Sequence, residues 1–287
     1  MKKYLKLMRV HHYIKNFLIF APLACSGQLF RIEKLLPGVT GFWAFCLISS
    51  AVYILNDLKD VEKDRKHPTK CKRPIASGAV SRHSAAVLAM VCILLGGGVC
   101  VASSKSHGAF IWLAVYLGMN VAYSLGLKNV PLVDIAILAA GFLIRILYGA
   151  CLTQIVISNW LYLTVMAMAL YFALGKRRNE LKRLGGETRA VLKAYPVSFL
   201  DKNMSMCLTL ANVFYALWSM NANTQQAYHS DFVIFTVPIV LLITLRYSMN
   251  VEGDSDGDPV EVLLHDKTLL LLCLVYAAAM FIILYVF

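Results

Sequence analysis

The stretch LLPGVTGFWAFCLISSAVYILNDLKDVEKD, residues 35–64, joins an uncharged apolar segment directly to a run of carboxylates. Its first part, residues 35–55, contains no Asp, Glu, Lys or Arg, which is typical of a helix that crosses a lipid bilayer. Its second part begins at once with four polar residues at short intervals: Asn56, Asp57, Asp60 and Asp64. The sequence therefore predicts a membrane helix that ends in an acidic segment at the membrane surface.

The apolar pattern recurs along the whole chain, which has 287 residues and is 59% hydrophobic. Such a composition argues against a water-soluble domain, which is usually close to half apolar. We predict an all-α membrane protein with a single polytopic domain over residues 1–287. Its nine transmembrane helices are predicted at residues 13–30, 36–55, 84–104, 108–126, 131–150, 157–176, 204–221, 232–249 and 268–287.

The positive charge of the chain is distributed asymmetrically between the two sides of the predicted bundle. Its formal net charge is +12, and only Arg31, Lys34 and Lys105 fall on the side opposite the N-terminus. Because Lys and Arg resist translocation, the N-terminus and the long polar loops 56–83 and 176–203 are predicted to be cytoplasmic, with the C-terminus outside. The basic residues lie in membrane loops rather than in a folded soluble domain, so we expect no nucleic-acid partner.

The acidic segment has the spacing of a metal site. If it continued as one helix, Asp57, Asp60 and Asp64 would share an arc of about 60°. Carboxylates on one stripe repel each other without a cation, and their hard oxygen atoms suit Mg²⁺ bridged to substrate phosphates. The alternative is a solvated charged helix end, because an isolated DxxD pattern is weak. The position between an apolar span and a basic stretch favours the Mg²⁺ site.

Basic residues follow the acidic segment and predict phosphate binding. The run from Arg65 to Arg73 is closed by the turn-forming sequence Pro-Ile-Ala-Ser-Gly at residues 74–78. Arg contacts phosphate with two donors and Lys as a point charge. Part of this charge serves only to set topology beside anionic lipid. Lys70 and Arg73 are the favoured ligands because they lead into the turn.

The second polar loop contains a related pattern. Phe172, Lys176 and Glu180 are spaced i, i+4 and i+8, which places them within about 80° on one helix face. Arg177 and Asp201 supply further charges at the same level of the chain. A Lys and a Glu one turn apart can be a simple surface pair. At the mouth of a helical bundle, however, these residues would hold a phosphate and a metal ion.

Charges also occur within the predicted fifth span, at Asp134 and Arg145. Charged residues at membrane depth are costly and normally face a cavity or a partner. Arg145 lies inside the span and is the harder one to explain as an interfacial residue, whereas Asp134 can be explained as one near Pro131. Tyr123 and Lys128, at the end of span four, are predicted to join the same polar chamber.

These motifs resemble those of the UbiA superfamily of intramembrane prenyltransferases, and the resemblance covers nearly the whole chain. The family pattern NDxxDxxxD is complete at residues 56–64. The second pattern, YxxxKxxxD, departs here: Phe172 replaces Tyr, Lys176 is kept and Glu180 replaces Asp. The resemblance implies a nine-helix bundle in a bacterial plasma membrane, with a Mg²⁺-dependent active site on the cytoplasmic face.

Further segments are similar to the decaprenyl-phosphate phosphoribosyltransferase branch of that family. They are the pair Lys15-Asn16, HPTKCKRPIASG at residues 67–78, GKRRNE at 175–180 and DPVEVL at 258–263. This branch implies transfer of 5-phosphoribose from phosphoribosyl diphosphate to a polyprenyl phosphate. It implies catalytic roles for Asp57, Asp60, Asp64 and Glu180, the first three as Mg²⁺ ligands. The implied substrate-binding residues are Lys15, Asn16, Asn56, Lys70, Arg73, Tyr123, Lys128, Asp134, Arg145, Lys176, Arg177 and Asp201.

Two other functions remain open at this point. An aromatic prenyltransferase of the same fold would use a prenyl diphosphate donor, although the second motif lacks the paired aspartates expected for it. A non-catalytic lipid transporter or binding protein would explain the spans and Arg145, but it gives no reason for three aspartates in register. The sequence also leaves association into a homo-oligomer open.

Overall fold

The structure, a computed structural model, describes residues 2–103, 107–184, 190–228, 230–253 and 259–286. These residues form helices joined by turns. The α-helices are α1 (Lys2–Met8), α2 (Ala21–Cys25), α3 (Ile32–Lys59), α4 (Val61–Arg65), α5 (Arg82–Ser103), α6 (His107–Leu125), α7 (Val133–Thr153), α8 (Asn159–Leu184), α9 (Val197–Met220), α10 (Ala222–Tyr228), α11 (Val237–Glu252), α12 (Pro259–His265) and α13 (Lys267–Tyr285). The 3-10 helices are Val10–Phe20, Lys70–Lys72, Leu127–Asn129, Ala190–Ala194 and Phe232–Thr236.

Six helical segments within the described residues are long and apolar enough to cross a bilayer: α3, α5, α6, α7, α11 with the 3-10 turn before it, and α13. In the most apolar part of α3, 67% of the residues are buried inside the protein, against 17% in α13. An apolar helix that remains so exposed needs a lipid environment. The helices α8 and α9 are also long but include charged residues, so the predicted number of nine spans stays a prediction.

The first predicted span, residues 13–30, does not form one long α-helix. It is divided into the 3-10 helix Val10–Phe20 and the short helix α2. A 3-10 helix has three residues per turn, so Tyr13, Asn16 and Ile19 form one straight row. Ile19 is fully buried, and Tyr13 and Asn16 form hydrogen bonds to serines of α3. This packing keeps the row in register with α3 and explains the local departure from α-helical geometry.

The first of two compact units comprises residues 1–23, 28–128 and 144–155. Its principal core lies along α3 and includes Phe45, Tyr116 and Tyr148. Backbone approaches within it are close: a Cβ atom at Gly149 would lie 2.0 Å from the carbonyl oxygen of Ile19. Glycine is therefore required where α7 passes the 3-10 helix.

A smaller apolar cluster of the same unit supports the acidic segment. It contains Leu7 from α1, Ile54 from α3, Val61 from α4 and Ile75 from the following turn. All four side chains are at most 2% exposed. This cluster fixes the end of α3 against the N-terminal helix and the loop that carries the basic residues.

The second unit comprises residues 24–27, 129–143 and 156–287. One core cluster joins α8, α9 and α11 through Tyr171, Met204 and Tyr247. A second cluster, around Tyr215 and Trp218 of α9, includes residues of α13. The prediction of one domain over residues 1–287 stays a prediction, because each of these units has its own core.

Candidate active site

The acidic segment spans a break between two helices. Helix α3 ends at Lys59, Asp60 has φ −94° and ψ 8°, and α4 begins at Val61. The expectation of one continuous helical stripe through Asp57, Asp60 and Asp64 is therefore wrong. The chain turns at Asp60, while the amide of Asp64 still donates to the carbonyl of Asp60 at 2.8 Å.

Arg73 brings the first and last aspartates of this segment together. Its Nη1 atom lies 2.6 Å from Oδ2 of Asp64 and 3.1 Å from Oδ1 of Asp57. Arg73 ends the 3-10 turn Lys70–Lys72 in an extended conformation, which is the conformation favoured before proline. Arg73 therefore lies at the acidic segment, while its role as a phosphate ligand stays a prediction. Lys70 lies one 3-10 turn earlier, and its amide donates to Nδ1 of His67 at 3.4 Å.

A second arginine binds the same carboxylate, and the sequence analysis did not single it out. Nη2 of Arg9 donates to Oδ1 of Asp57 at 2.6 Å, and the guanidinium lies 4.7 Å from the ring centroid of Tyr53. Arg9 adopts the left-handed conformation, with φ 52°, between α1 and the 3-10 helix. Its partner is 48 residues away, so no local spacing could reveal the contact.

The middle aspartate has a partner of its own. Nζ of Lys128 donates to both carboxylate oxygens of Asp60 at 2.7 Å. In the same region the hydroxyl of Ser124 donates to Oδ1 of Asn56 at 3.2 Å. Tyr123 lies beside Ser124 in the last turn of α6. The structure therefore joins the predicted residues Asn56, Asp60 and Lys128 to the end of α6.

The carboxylate oxygens of the acidic segment meet part of the requirements of a Mg²⁺ site. Within the described ranges, no group of three or more His, Cys, Asp or Glu side chains is arranged to hold a metal ion. Asp60 is instead paired with Lys128, but oxygens of Asp57 and Asp64 meet at one cationic nitrogen of Arg73. Mg²⁺ commonly uses one or two carboxylates and completes its shell with water and substrate phosphates. Asp57 and Asp64 meet that requirement.

Arg145 of α7 belongs to a buried polar cluster in the first unit. Its Nε donates to Oδ1 of Asn16 at 2.8 Å, and Nη2 donates to the hydroxyl of Tyr116 at 3.2 Å. The guanidinium also lies 5.1 Å from the ring centroids of Phe45 and Tyr116, within cation–π range. Asn16 in turn contacts Cys46 and Ser49 of α3, and Lys15, half-buried, precedes it. Arg145 thus has the partners expected of a charge at membrane depth.

The second unit contains a separate buried ion-pair network. Nε of Arg177 lies 2.5 Å from Oδ2 of Asp134, and Nη1 lies 2.7 Å from Oε2 of Glu180. Asp134 is 0% exposed, so it is buried inside the protein, whereas its position at the membrane interface stays a prediction. Its charge is balanced by Arg177, as a buried carboxylate requires. Arg177 is 1% exposed, so Asp134 and Glu180 hold its guanidinium inside the protein.

Tyr195 completes this network and was also missed from the sequence. Its hydroxyl donates to Oδ1 of Asp134 at 2.5 Å and accepts from the amide of Leu132 at 2.5 Å. Burial, together with donation to the Asp134 carboxylate, raises the pKa of Tyr195 to about 12. The phenol therefore remains a hydrogen-bond donor throughout the physiological pH range. The contact spans 61 residues, beyond any motif spacing.

Other residues of the second motif have distinct environments. Phe172 packs edge-to-face against Tyr247, with ring centroids 5.1 Å apart. Lys176 is half-buried on α8, and Arg178 forms an ion pair with Asp201 of α9. The structure thus pairs Glu180 and Asp201 with arginines. Asp258, in the predicted DPVEVL segment, lies outside the described residues.

The family follows from comparison with known proteins. The family model described as the UbiA prenyltransferase family matches residues 17–264. The chain belongs to the UbiA prenyltransferase family of membrane transferases.

Among relatives, the decaprenyl-phosphate phosphoribosyltransferase of Corynebacterium glutamicum is 32% identical over 282 residues, which cover 95% of this chain and 83% of that protein. The protein of that name from Mycobacterium tuberculosis is 34% identical over 283 residues, covering 95% of this chain and 91% of the relative. This chain is therefore similar to phosphoribosyltransferases over nearly its full length.

Solved structures confirm the fold. A UbiA homologue from Archaeoglobus fulgidus bound to DMAPP and Mg²⁺ has a TM-score of 0.71 and 17% identity, with 99% of this chain and 100% of that chain covered. The same homologue bound to GPP and Mg²⁺ has a TM-score of 0.70 and 18% identity, with 98% and 99% covered. The predicted all-α, UbiA-type architecture and the enzyme class are confirmed, whereas the termini orientation and the individual site residues stay predictions.

Proposed function

We propose that this transferase moves 5-phosphoribose from phosphoribosyl diphosphate to a polyprenyl phosphate of the decaprenyl type. The observation that carries the proposal is 32–34% identity, over 95% of the chain, to relatives named decaprenyl-phosphate phosphoribosyltransferase. The charged cluster of the first unit supports it. Arg9, Arg73 and Lys128 lie among three carboxylates, which suits a donor that carries several phosphate groups.

The reaction needs no strong general base. An oxygen of the lipid phosphate, already an anion, attacks the anomeric carbon of the ribose, and the bond from that carbon to the diphosphate oxygen breaks. Diphosphate leaves with the electron pair of that bond. Because the leaving group gains negative charge, cationic side chains fixed beside it stabilise the transition state more than the ground state.

The residues of the first unit are assigned accordingly. Asp57 and Asp64, with Asp60 beside them, would hold Mg²⁺, and the ion would neutralise charge on the leaving diphosphate. Lys70 and Arg73 would contact the phosphates of the donor. Lys128, Tyr123 and Arg145 would position the acceptor phosphate or the ribose, with Asn16, Lys15 and Asn56 supporting them.

In the second unit, Lys176 is half-buried on α8 and is proposed to bind phosphate, as the sequence pattern predicts. Arg177, the next residue on α8, forms ion pairs with Asp134 and Glu180, which hold it in a fixed position. Arg177 is therefore assigned a positioning role rather than direct phosphate contact. Asp201 holds Arg178 in a comparable way.

The reaction can be tested with purified protein in detergent. Polyprenyl phosphate, labelled phosphoribosyl diphosphate and Mg²⁺ are combined, and label is measured in the organic phase. We expect lipid label from the wild type, loss of label with EDTA, and loss with Asp57→Asn. A folded protein that labels no lipid here, but prenylates an aromatic acid from a prenyl diphosphate, would overturn the proposal in favour of an aromatic prenyltransferase.

The proposed location is the bacterial plasma membrane, with the acidic and basic loops on the cytoplasmic face. The concentration of Lys and Arg in those loops supports it. Cys71 lies in the first loop and is partly exposed, which makes it a natural probe. In intact spheroplasts an impermeant maleimide should leave Cys71 unlabelled until the membrane is permeabilised, with Cys71→Ser as the control. Labelling in intact spheroplasts would reverse the orientation.

A further inference from the structure

The Asp57 carboxylate accepts from two guanidinium groups at the same oxygen atom. Nη2 of Arg9 lies 2.6 Å from Oδ1, and Nη1 of Arg73 lies 3.1 Å from it. Within the described residues, each hydrogen bond to this carboxylate falls on Oδ1. Both contacts are charge-assisted, and Asp57 is only 2% exposed, so water screens them weakly.

The backbone conformation of Arg9 and the packing of its neighbours hold its guanidinium in this position. Its left-handed backbone, with φ 52°, turns the chain between α1 and the 3-10 helix and is uncommon for a residue with a side chain. Leu7, two residues earlier, is fully buried and anchors α1. The ring of Tyr53, one turn before Asp57 on α3, supports the guanidinium at 4.7 Å.

Two cations on one metal-binding carboxylate oppose the binding of a free divalent ion. A Mg²⁺ ion at Asp57 would have to displace or approach two positive groups, which costs Coulomb energy in a poorly screened site. A divalent ion that arrives with a diphosphate removes this conflict, because the phosphate oxygens give the guanidinium groups a new anionic partner.

We propose that Arg9 is a donor-binding residue. In the ligand-free enzyme it forms an ion pair with Asp57, and when the donor binds with its metal ion, Arg9 forms its ion pair with the diphosphate of the donor instead. Arg9 then makes metal binding depend on the presence of diphosphate. This inference rests on the proposed function for the donor and extends it to the order in which charges assemble. Arg73 shares the contact but also holds Asp64, whereas Arg9 binds Asp57 alone among the acidic residues described.

The proposal predicts effects of opposite sign on two binding equilibria. In Arg9→Gln, Mn²⁺ alone should bind roughly tenfold more tightly, because a competing charge-assisted contact is lost. Inorganic diphosphate at saturating Mn²⁺ should bind roughly tenfold more weakly, because the arginine is no longer available to it. A purely structural role would weaken both equilibria or change neither.

The experiment uses full-length protein in detergent, with free Mn²⁺ counted by electron paramagnetic resonance and diphosphate titrated by calorimetry. The matched control is Arg82→Gln, which removes the same charge from an exposed pair with Glu62 and should leave both affinities unchanged. If Arg9→Gln does not fold, Arg9→Lys tests the same idea. This variant keeps the charge but loses the planar stacking on Tyr53. Mn²⁺ should therefore bind more tightly and diphosphate more weakly than in the wild type, but by smaller factors than in Arg9→Gln.

The possible failures are distinguishable. A wild type that transfers phosphoribose and binds Mn²⁺, with Arg9→Gln affinities that are unchanged or both weaker, would overturn the role of Arg9 and leave the proposed function standing. A wild type that binds no Mn²⁺ in the presence or absence of diphosphate would overturn both the metal assignment and the inference.

Discussion

Arg73 Nη1 lies 2.6 Å from the Asp64 carboxylate, and the same nitrogen atom also contacts Asp57. One donor atom therefore links the end of α3 to α4 across the break at Asp60. The contact fixes two carboxylates of the acidic segment relative to each other before any ligand binds. Because the arginine is about a quarter exposed, it can also reach a ligand from solvent.

Removing this arginine should impair use of the phosphorylated donor. We expect Arg73→Gln to lower kcat/KM for phosphoribosyl diphosphate by about 10–100-fold, as a lost hydrogen bond to a charged group predicts. Arg73→Lys should lose less, because both contacts come from one nitrogen atom and a lysine ammonium can replace it. Lipid labelling at varied donor concentration measures both variants. If the exposed control variant Arg82→Gln lowers kcat/KM as much as Arg73→Gln does, Arg73 has no specific role in donor use.

The sequence locates the apolar helices, six of which are long and apolar enough to cross a bilayer within the described residues, and it locates the acidic segment, because both depend on local information. Apolar runs reveal spans through composition alone, and the acidic pattern lies within nine consecutive residues, 56–64. The break at Asp60 was not predicted; directly after it, Val61 belongs to an apolar cluster with Leu7 and Ile54, which lie far apart in the chain. The 3-10 geometry of Val10–Phe20 likewise depends on contacts with α3.

Long-range pairing explains the residues that the sequence did not reveal. Arg9 pairs with Asp57, and Tyr195 pairs with Asp134, and no periodicity connects either pair. For Arg177 the sequence gives the right residue but not its environment, since its partner Asp134 lies 43 residues away in the chain. A basic loop read from sequence alone does not distinguish an arginine that meets a ligand from one that neutralises a buried carboxylate.

The buried network of the second unit predicts a large effect on stability. Arg177→Met would leave Asp134 and Glu180 without their arginine, and breaking a buried ion pair costs about 3–5 kcal/mol. Tyr195→Phe should cost only about 1 kcal/mol, because Arg177 still balances Asp134. Thermal melting in detergent would measure both changes. Arg178→Met is the control, since its partner Asp201 is 45% exposed and can be solvated by water. If Arg178→Met lowers the melting temperature as much as Arg177→Met does, the buried ion pair is not the cause of the loss of stability.

A second stability prediction concerns acid pH and the start of α13. Oδ1 of Asp266 caps the helix by accepting from the amides of Thr268 and Leu269. Hydrogen bonds from Asn250 and then Arg246 hold the pKa of Asp266 well below its usual range. A lowered pKa in the folded state stabilises the protein at pH values above about 3.9, the ordinary aspartate pKa, and this contribution is lost as the pH falls further.

Comparison with Asp266→Asn isolates that contribution, because asparagine is also a good helix cap. The wild type should melt at a higher temperature than Asp266→Asn at neutral pH. The difference should shrink as the pH is lowered below about 4, because the aspartate of the unfolded chain then takes up a proton while that of the folded protein still carries its charge. A difference that stays constant between neutral pH and pH 3 would show that the charge of Asp266 does not stabilise the helix junction.

The close approach of α7 to the 3-10 helix gives the last prediction. A Cβ atom at Gly149 would lie 2.0 Å from the carbonyl oxygen of Ile19, and a backbone atom cannot move aside without shifting the 3-10 helix. Gly149→Ala should therefore lower the melting temperature markedly, by an overpacking cost of about 1–3 kcal/mol or more. Gly118→Ala in α6 is the control, because nothing lies within 4 Å of its Cβ position. Since alanine favours a helix over glycine by about 1 kcal/mol, that variant should be as stable as the wild type or more so. Equal melting temperatures for the two variants would mean that α7 and the 3-10 helix are not packed as tightly as the structure shows.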